Sequence, residues 1–265
     1  MTGRDEYYNR AKQEGYRTRA AYKLKQLDEA ADLFAPGDTV VDLGAAPGGW
    51  MQVAAERVGE GGTVIGVDRQ RIDPLEEAHG ARVETIRGDM TDAETKDRIR
   101  EVVGDADDAG GPVDVVVSDM APNVSGEYEL DHARSVHLAR QAFGTAVDVL
   151  ESGGDLVVKV FDGPDLEDFR ADVEEEFEYV RATSPDASRD ASSELYLIGK
   201  AFLTAPVRAG DRLTVEIEDE GSEGDGIAKV EGYTLFVGGA EPGESVDVEV
   251  TDVKPRYGFA ERVDR

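Results

Sequence analysis

Residues 40–50 read Val40-Val41-Asp42-Leu43-Gly44-Ala45-Ala46-Pro47-Gly48-Gly49-Trp50. An apolar strand here runs into a glycine-rich turn, where the backbone can approach a ligand closely. A phosphate-binding loop needs Lys followed by Ser or Thr after its glycines, and a dinucleotide fingerprint needs the spacing G-x-G-x-x-G. The stretch has neither feature. The strand followed by a glycine-rich turn predicts an α/β fold with a ligand-binding turn. The missing dinucleotide spacing disfavours a nicotinamide-dependent oxidoreductase.

Two acidic residues follow at the ends of the next predicted strands. Asp68 closes the run Val64-Ile65-Gly66-Val67, and Asp89 follows Ile86-Arg87-Gly88. A carboxylate at the first position can accept both ribose hydroxyls of a nucleoside, and one at the second can meet an adenine ring. Either residue alone could be a helix cap or a turn residue. Together with the glycine-rich turn they stand at successive carboxyl ends of strands, where open α/β sheets bind ligands.

The pattern of apolar residues predicts two domains behind a basic N-terminal segment, with boundaries at 1–27, 28–200 and 203–263. In the middle region, β-branched runs alternate with helical patterns, which predicts a mostly parallel sheet with crossover helices. One predicted helix ends at Gly153-Gly154, and another includes Phe177 in its apolar spacing. The predicted strands of this region are Thr39–Leu43, Thr63–Val67, Arg82–Ile86, Asp114–Val117, Asp155–Val160 and Glu194–Ile198.

After Lys200 the helical spacing stops, and five short alternating runs predict a small β-barrel. These runs are Arg212–Glu218, Ile227–Val230, Thr234–Val237, Val246–Thr251 and Phe259–Val263.

The charge of the chain is strongly acidic and unevenly distributed. Asp and Glu number 58 against 29 Lys and Arg, which gives a net charge of −29. An acidic, lysine-poor surface of this kind is typical of proteins that work in concentrated salt, where the repulsion is screened. Residues 1–27 depart from the rest with seven basic and three acidic residues. This segment predicts contact with an anionic partner such as RNA.

Several function classes are excluded or disfavoured by composition. The chain has no cysteine, so it has no disulfide framework, no thiolate metal site and no cysteine nucleophile. We expect no metal centre. No apolar run reaches the length of a membrane helix, and the first residues do not read as a signal peptide. We therefore expect a soluble cytoplasmic protein that does not bind membranes.

Three motifs together resemble the FtsJ-like family of S-adenosylmethionine-dependent RNA ribose 2′-O-methyltransferases. The resemblance extends from about Tyr16 to Gly199. It implies a Rossmann-like fold, with a mostly parallel seven-stranded sheet that contains one antiparallel strand. It also implies that S-adenosylmethionine is bound by Gly48, Trp50, Asp68, Asp89 and Asp119. The motifs are the glycine-rich stretch above, Ser118-Asp119-Met120-Ala121-Pro122-Asn123, and Gly153-Gly154-Asp155-Leu156-Val157-Val158-Lys159-Val160-Phe161.

The same resemblance assigns a catalytic group of four residues: Lys23, Asp119, Lys159 and Glu194. A ribose hydroxyl is a poor nucleophile, so methyl transfer requires that its proton be removed. Lys159 is the expected general base, because an apolar strand disfavours the charged form of an amine. Lys23 would act in the same direction, whereas Asp119 and Glu194 would oppose it and orient the amine. The sequence leaves the balance open.

The C-terminal runs resemble a TRAM domain, a small barrel common on RNA-modifying enzymes. The FtsJ-like resemblance implies methylation of a uridine in large-subunit ribosomal RNA, either as free RNA or in the assembled subunit, with no obligate protein partner. Two alternatives remain open at this point. One is a tRNA ribose 2′-O-methyltransferase, which would share the motifs. The other is a non-catalytic RNA-binding assembly factor that keeps the cofactor fold.

Overall fold

The computed structural model describes residues 4–104, 112–188, 193–222 and 224–263. Its helices are α1 (Arg4–Glu14), α2 (Ala21–Ala31), α3 (Gly49–Val58), α4 (Ala93–Val103), α5 (Tyr128–Val149) and α6 (Leu166–Glu174). Its strands are β1 (Thr39–Leu43), β2 (Thr63–Asp68), β3 (Arg82–Arg87), β4 (Val113–Ser118), β5 (Leu150–Phe161), β6 (Phe177–Thr183), β7 (Glu194–Phe202), β8 (Arg212–Glu220), β9 (Gly226–Val230), β10 (Tyr233–Val237), β11 (Ser245–Val253) and β12 (Tyr257–Arg262).

The first seven strands form one sheet in the order β3-β2-β1-β4-β5-β7-β6. Strand β7 runs antiparallel to both of its neighbours, and the other pairs from β3 to β5 are parallel. The carboxyl ends of β1, β2, β3, β4 and β5 therefore meet at one edge. The predicted seven-stranded, mostly parallel sheet with one antiparallel strand is confirmed.

Helices cover both faces of this sheet, and alternate residues of each strand serve the two layers. In β1, Val41 packs with Ile99 of α4, Ala139 of α5 and Phe169 of α6. The preceding Val40 packs on the opposite face with Leu24 of α2. The second layer fixes α2 against the sheet, which matters because α2 carries Lys23.

Two predictions about helix ends are wrong. Helix α5 ends at Val149 and β5 begins at Leu150, so Gly153-Gly154 lies inside a strand. A Cβ at Gly154 would approach Asp114 O to 2.9 Å, which indicates that this glycine is needed for close strand contact. Helix α6 ends at Glu174, and Phe177 opens β6. Its ring packs 5.5 Å from that of Phe202 in β7, so tertiary packing overrides the helical spacing.

The last five strands close into a barrel in the order β10-β12-β11-β8-β9, which confirms the predicted barrel. Its interior is filled by alternate aliphatic side chains such as Leu235, Val248 and Ala260. The barrel touches the sheet domain directly. Ser152 Oγ donates to Pro255 O over 2.7 Å, and Lys254 Nζ lies 2.9 Å from Glu178 Oε1. No helix in the described parts of the chain is both long enough and apolar enough to cross a membrane.

Candidate active site

The four residues assigned by the resemblance to catalysis lie together at the carboxyl edge of the sheet. Lys159 Nζ on β5 donates to the backbone oxygen of Asp119 and, over 2.8 Å, to its Oδ1. Lys23 Nζ on α2 donates to Glu194 Oε2 over 2.8 Å and lies 3.9 Å from Asp119 Oδ1. Both lysines are buried. The two amines and two carboxylates therefore form one compact, mutually compensated cluster.

Tyr196 is the member of this cluster that the sequence did not single out. It is fully buried on β7, where its hydroxyl donates to Asp119 Oδ1 over 2.6 Å and accepts from Lys23 Nζ over 3.1 Å. Burial raises the pKa of Tyr196 well above its usual value, and the charge of Asp119 raises it further. The tyrosine thus stays neutral and links the two halves of the cluster by hydrogen bonds.

Asp119 is the anion that holds the cluster together. Burial by itself would raise the pKa of its carboxyl, but the charges of Lys159 and Lys23 and the hydrogen bonds from Lys159 and Tyr196 hold the pKa below its usual value. An ionised Asp119 accepts both N–H bonds from Lys159 described above. It can therefore fix the direction of the Lys159 amine.

A cleft of about 670 Å³ begins at Asp119 and extends along the carboxyl ends of β4, β1, β2 and β3. Asp68 and Asp89 line it together with Gly44, Met120 and Pro122. The structure therefore brings three of the five residues predicted to bind a cofactor into one cleft. This cleft shares Asp119 with the lysine cluster.

Asp68 and Asp89 each retain acceptor capacity toward the cleft, because a carboxylate offers about four lone-pair sites. Asp68 accepts from the backbone N–H groups of Ala46 and Gln70. Asp89 accepts from the backbone N–H and hydroxyl of Thr91, and these bonds lower the pKa of Asp89 below its usual value. Two anchored acceptors suit the hydroxyl groups of a ribose and the amino group of a base.

Gly48 and Trp50 lie outside the residues that line the cleft. Gly48 has φ +107°, and a Cβ there would approach Arg17 Nη1 to 2.7 Å. Trp50 is buried, donates from Nε1 to Ala20 O over 2.8 Å, and stacks near Tyr196. Both residues therefore contact the N-terminal segment in this structure.

Arg17 fastens that segment to the loops beside the cleft. Its Nη1 donates to Pro47 O over 2.8 Å and to Asp73 O over 2.6 Å, and its Nη2 donates to Pro74 O. Gln52 adds two bonds, one to Gly15 O and one from Arg17 N. In the sequence Arg17 is one of several basic residues of the N-terminal segment. Its spacing does not show whether its guanidinium binds backbone oxygens of the protein or contacts RNA.

Asp42 is a second buried carboxyl that sequence reasoning missed. It lies on β1 beneath the glycine-rich turn, is 1% exposed, and its Oδ2 has no hydrogen-bond partner among the described residues. Burial raises the pKa of Asp42 well above its usual value, and the charges of Asp119 and Asp68 add to the effect. Within the described parts of the chain, no lysine or arginine opposes this rise.

Comparisons with known proteins agree with this geometry. Residues 16–202 match the model of the family described as FtsJ-like methyltransferase, and residues 206–263 match the TRAM domain. Proteins of Haloarcula marismortui and Natronomonas pharaonis, both named ribosomal RNA large subunit methyltransferase E, are each 67% identical over 264 residues, with all of both chains covered.

Among solved structures, one described as a ribosomal RNA methyltransferase from Plasmodium falciparum has a TM-score of 0.60 and 26% identity, and the match covers 71% of this chain and 98% of that one. The Haloarcula and Natronomonas relatives come from halophilic archaea, which agrees with the acidic composition.

Proposed function

Because the chain belongs to the FtsJ-like methyltransferase family, we propose that it methylates the 2′-hydroxyl of a uridine in large-subunit ribosomal RNA, in the cytoplasm. The observation that carries this proposal is the position of Asp119. One carboxylate both lines the large cleft and holds the amine of Lys159. A methyl donor in the cleft and a hydroxyl beside Lys159 would meet at that residue.

The cleft fits S-adenosylmethionine by the chemistry of its acceptors. Asp68 would hold the ribose hydroxyls of the cofactor, and Asp89 would meet its adenine ring. When bound, S-adenosylmethionine supplies a methyl group activated by its sulfonium charge. The carboxylate of Asp119 places a negative charge at the end of the cleft where that cation would lie.

Lys159 would remove the proton from the ribose hydroxyl. A neutral amine has two N–H bonds and one lone pair, and Asp119 offers two acceptors to those two N–H bonds. The lone pair is then left for the substrate hydroxyl. As the hydroxyl oxygen takes the methyl group that the bound cofactor would supply, its proton would pass to Lys159 Nζ, and Asp119 would hold the resulting ammonium.

Lys23 would assist this step by its charge, because a cation near Lys159 disfavours a second protonated amine. Its bond to Glu194 keeps it in place on the other side of Asp119. The hydrogen bond from Trp50 Nε1 to Ala20 O holds the start of α2, so α2 presents Lys23 in a fixed position. Positioning of this kind lowers the barrier without any change in the chemistry.

The barrel would hold RNA by stacking more than by charge. Outward side chains of β10 and β12 form an aromatic face of Phe236, Tyr257 and Phe259, with ring centroids 5.6–5.9 Å apart. Tyr257 and Phe259 are 41% and 39% exposed. Concentrated salt weakens phosphate contacts steeply, whereas stacking of bases on rings does not depend on counterion release.

The activity is tested by methyl transfer from labelled S-adenosylmethionine in multimolar KCl. Unmodified large ribosomal subunits, free large-subunit RNA and bulk tRNA are offered in parallel, and the product nucleosides are identified by mass spectrometry. We expect 2′-O-methyluridine in the large-subunit RNA. We expect a loss of about 10²–10⁴-fold in Lys159→Ala, the usual contribution of a general base. The matched control is Lys96→Ala, since Lys96 is a partly buried lysine on α4 that donates to Gln141.

The other outcomes separate the alternatives. Label in tRNA alone would keep the mechanism and overturn the substrate. Folded protein that binds cofactor and RNA but labels no substrate would favour the assembly factor. Equal activity in Lys159→Ala and Lys96→Ala would contradict the role of Lys159.

A further inference from the structure

A second, smaller cavity of about 210 Å³ lies beside the lysine cluster, and the mechanism above does not use it. Val124, Tyr128, His132, Phe161 and Ser193 line it. They come from the loop after β4, the first turns of α5, the end of β5 and the residue before β7. Ligand pockets for whole small molecules usually measure roughly 300–1,000 Å³. This cavity is therefore suited to a fragment of a nucleotide.

The cavity lies one step along the sheet from Lys159. Phe161 follows Lys159 by two residues on β5, about 7 Å along the strand, so the cavity and Lys159 lie at the same carboxyl edge of the sheet. Glu194 is the register partner of Phe161, and Ser193 precedes it. The spacing is that of two neighbouring parts of one nucleotide, with a sugar at Lys159 and a base at Phe161.

The walls of the cavity are fixed by hydrogen bonds within the protein. Asp131 accepts from the backbone N–H groups of Ser125 and Gly126 and from the Ser125 hydroxyl. The Tyr128 hydroxyl donates to Asp162 O over 2.8 Å. These bonds hold the loop after β4 in shape while the ring of Tyr128 stays 57% exposed and Val124 stays 69% exposed.

The ring of His132 stacks on that of Tyr128. Its Nδ1 lies 3.0 Å from Phe161 O, which can only accept, and its Nε2 accepts from the backbone N–H of Asp165. These partners fix the orientation of the His132 ring. The rings of His132 and Tyr128 are nearly parallel, at an interplanar angle of 14°. The exposed face of Tyr128 therefore has a preset orientation.

We propose that this cavity takes the uracil base of the target nucleotide, stacked on Tyr128, while its ribose lies at Lys159. The inference rests on the proposed function and assigns a substrate subsite to the same centre. Sequence-specific RNA recognition commonly unstacks a base and places it on an aromatic side chain. Tyr128 and Phe161 supply rings, and Val124 supplies an apolar edge.

The test compares two ligated large-subunit RNAs, one with the target uracil and one with an abasic ribose that keeps its 2′-hydroxyl, after the methylated position has been mapped. Tyr128→Ala should lower kcat/KM on the uracil RNA by about 5- to 150-fold, the usual effect of one stacked base. On the abasic RNA it should have no further effect. Tyr128→Phe should stay near wild type. The control is Tyr179→Ala, which removes an equally exposed ring on β6.

Binding of S-adenosylmethionine, followed by calorimetry, shows whether each variant keeps its fold. If Tyr128→Ala does not fold, Val124→Trp fills the cavity from its exposed edge and should produce the same selective loss on the uracil RNA. Equal losses on both RNAs, or no loss, would overturn the subsite. If wild-type protein methylates neither parent RNA nor subunit, the proposed function itself fails, which is a different result.

Discussion

Asp42 and Asp119 stand on neighbouring strands at the same edge of the sheet, yet their surroundings are opposite. Asp42 on β1 lies opposite Val117 of β4, two residues before Asp119. Burial would raise the pKa of both carboxyls. It does so for Asp42, whereas Lys159 and Lys23 bring the pKa of Asp119 below its usual value. Asp42 lies beneath the glycine-rich turn and does not itself line the cleft. We call this side, with its uncompensated carboxyl, the carboxylate end, and the side at Asp119 and Lys159 the lysine end.

The difference between Asp42 and Asp119 lies in the two buried lysines that surround Asp119. In a chain with 29 basic and 58 acidic residues, two lysines are buried around one aspartate. Removing one partner from such a cluster leaves a buried charge unpaired, which is costly. The lysine end should therefore respond to substitution through catalysis. The carboxylate end should respond through cofactor affinity and through the pH dependence of stability.

After the loss expected for Lys159→Ala, the next largest effect is expected for Lys23→Met at the lysine end. The substitution keeps the length of the side chain but removes the charge that pairs with Glu194 and lies near Asp119. We expect kcat to fall by about 10²-fold, comparable to the loss of one preorganised electrostatic group.

Lys25→Met is the matched control on the same helix. Lys25 lies 3.4 Å from Glu56 and over the ring of Tyr16, so it contacts no member of the cluster. Its kcat should stay within about twofold of wild type, the size of a surface ion pair. If the two variants lost the same activity, the loss would reflect the basic segment as a whole, and the special role of Lys23 would be wrong.

A smaller effect is expected for Arg17→Ala, which acts on the carboxylate end. The guanidinium holds three backbone oxygens, of Pro47, Asp73 and Pro74. Without it, the turn that carries Ala46 loses its support, and Ala46 N donates to Asp68. We expect the affinity for S-adenosylmethionine to fall by about tenfold in calorimetric titrations, with kcat at saturating cofactor nearly unchanged.

Two further variants define what Arg17 does. Arg17→Lys should not restore affinity, because an ammonium cannot form the planar fork that reaches separate carbonyls. Arg71→Ala should leave affinity unchanged, because Arg71 is 80% exposed in its side chain and pairs only with Asp73 at 3.6 Å among the contacts described. A drop in kcat without a change in cofactor affinity would place Arg17 in the RNA-binding surface instead.

Part of the candidate site could be predicted from the sequence. Carboxyl ends of parallel strands meet at one edge, so Asp68 and Asp89 could be placed beside the glycine-rich turn from their positions alone. The family motifs supplied Asp119, and with it Lys23 and Glu194, whose elements are distant in the chain. Family motifs and the alternation of strands and helices can both be recognised in a single sequence.

Other features depend on tertiary contacts that a single sequence does not display. A tyrosine two residues after Glu194 reads as an ordinary strand residue until Asp119 and Lys23 are brought to its hydroxyl. Strand β6 has only two buried residues, Phe177 and Val180, so its pattern does not alternate. The raised pKa of Asp42 depends on its surroundings in space, where burial acts and no cation among the described residues opposes it.

The smallest effect on activity is expected for Asp42→Asn, which should change mainly the pH dependence of stability. Because the pKa of Asp42 is raised in the folded state, the unfolded chain releases this proton at lower pH than the folded protein does. Wild-type protein therefore loses stability as the pH rises through the usual range of an aspartate, and the asparagine variant does not. The difference in free energy of unfolding between the two proteins should be small near pH 4 and should favour the variant at pH 8, in urea titrations at constant multimolar KCl.

Asp119 contributes in the opposite direction, since its lowered pKa stabilises the fold at neutral pH and that contribution is lost on acidification. A difference that stays constant with pH would mean that Asp42 is ionised in the folded protein, and that the two ends of the cleft do not differ as described.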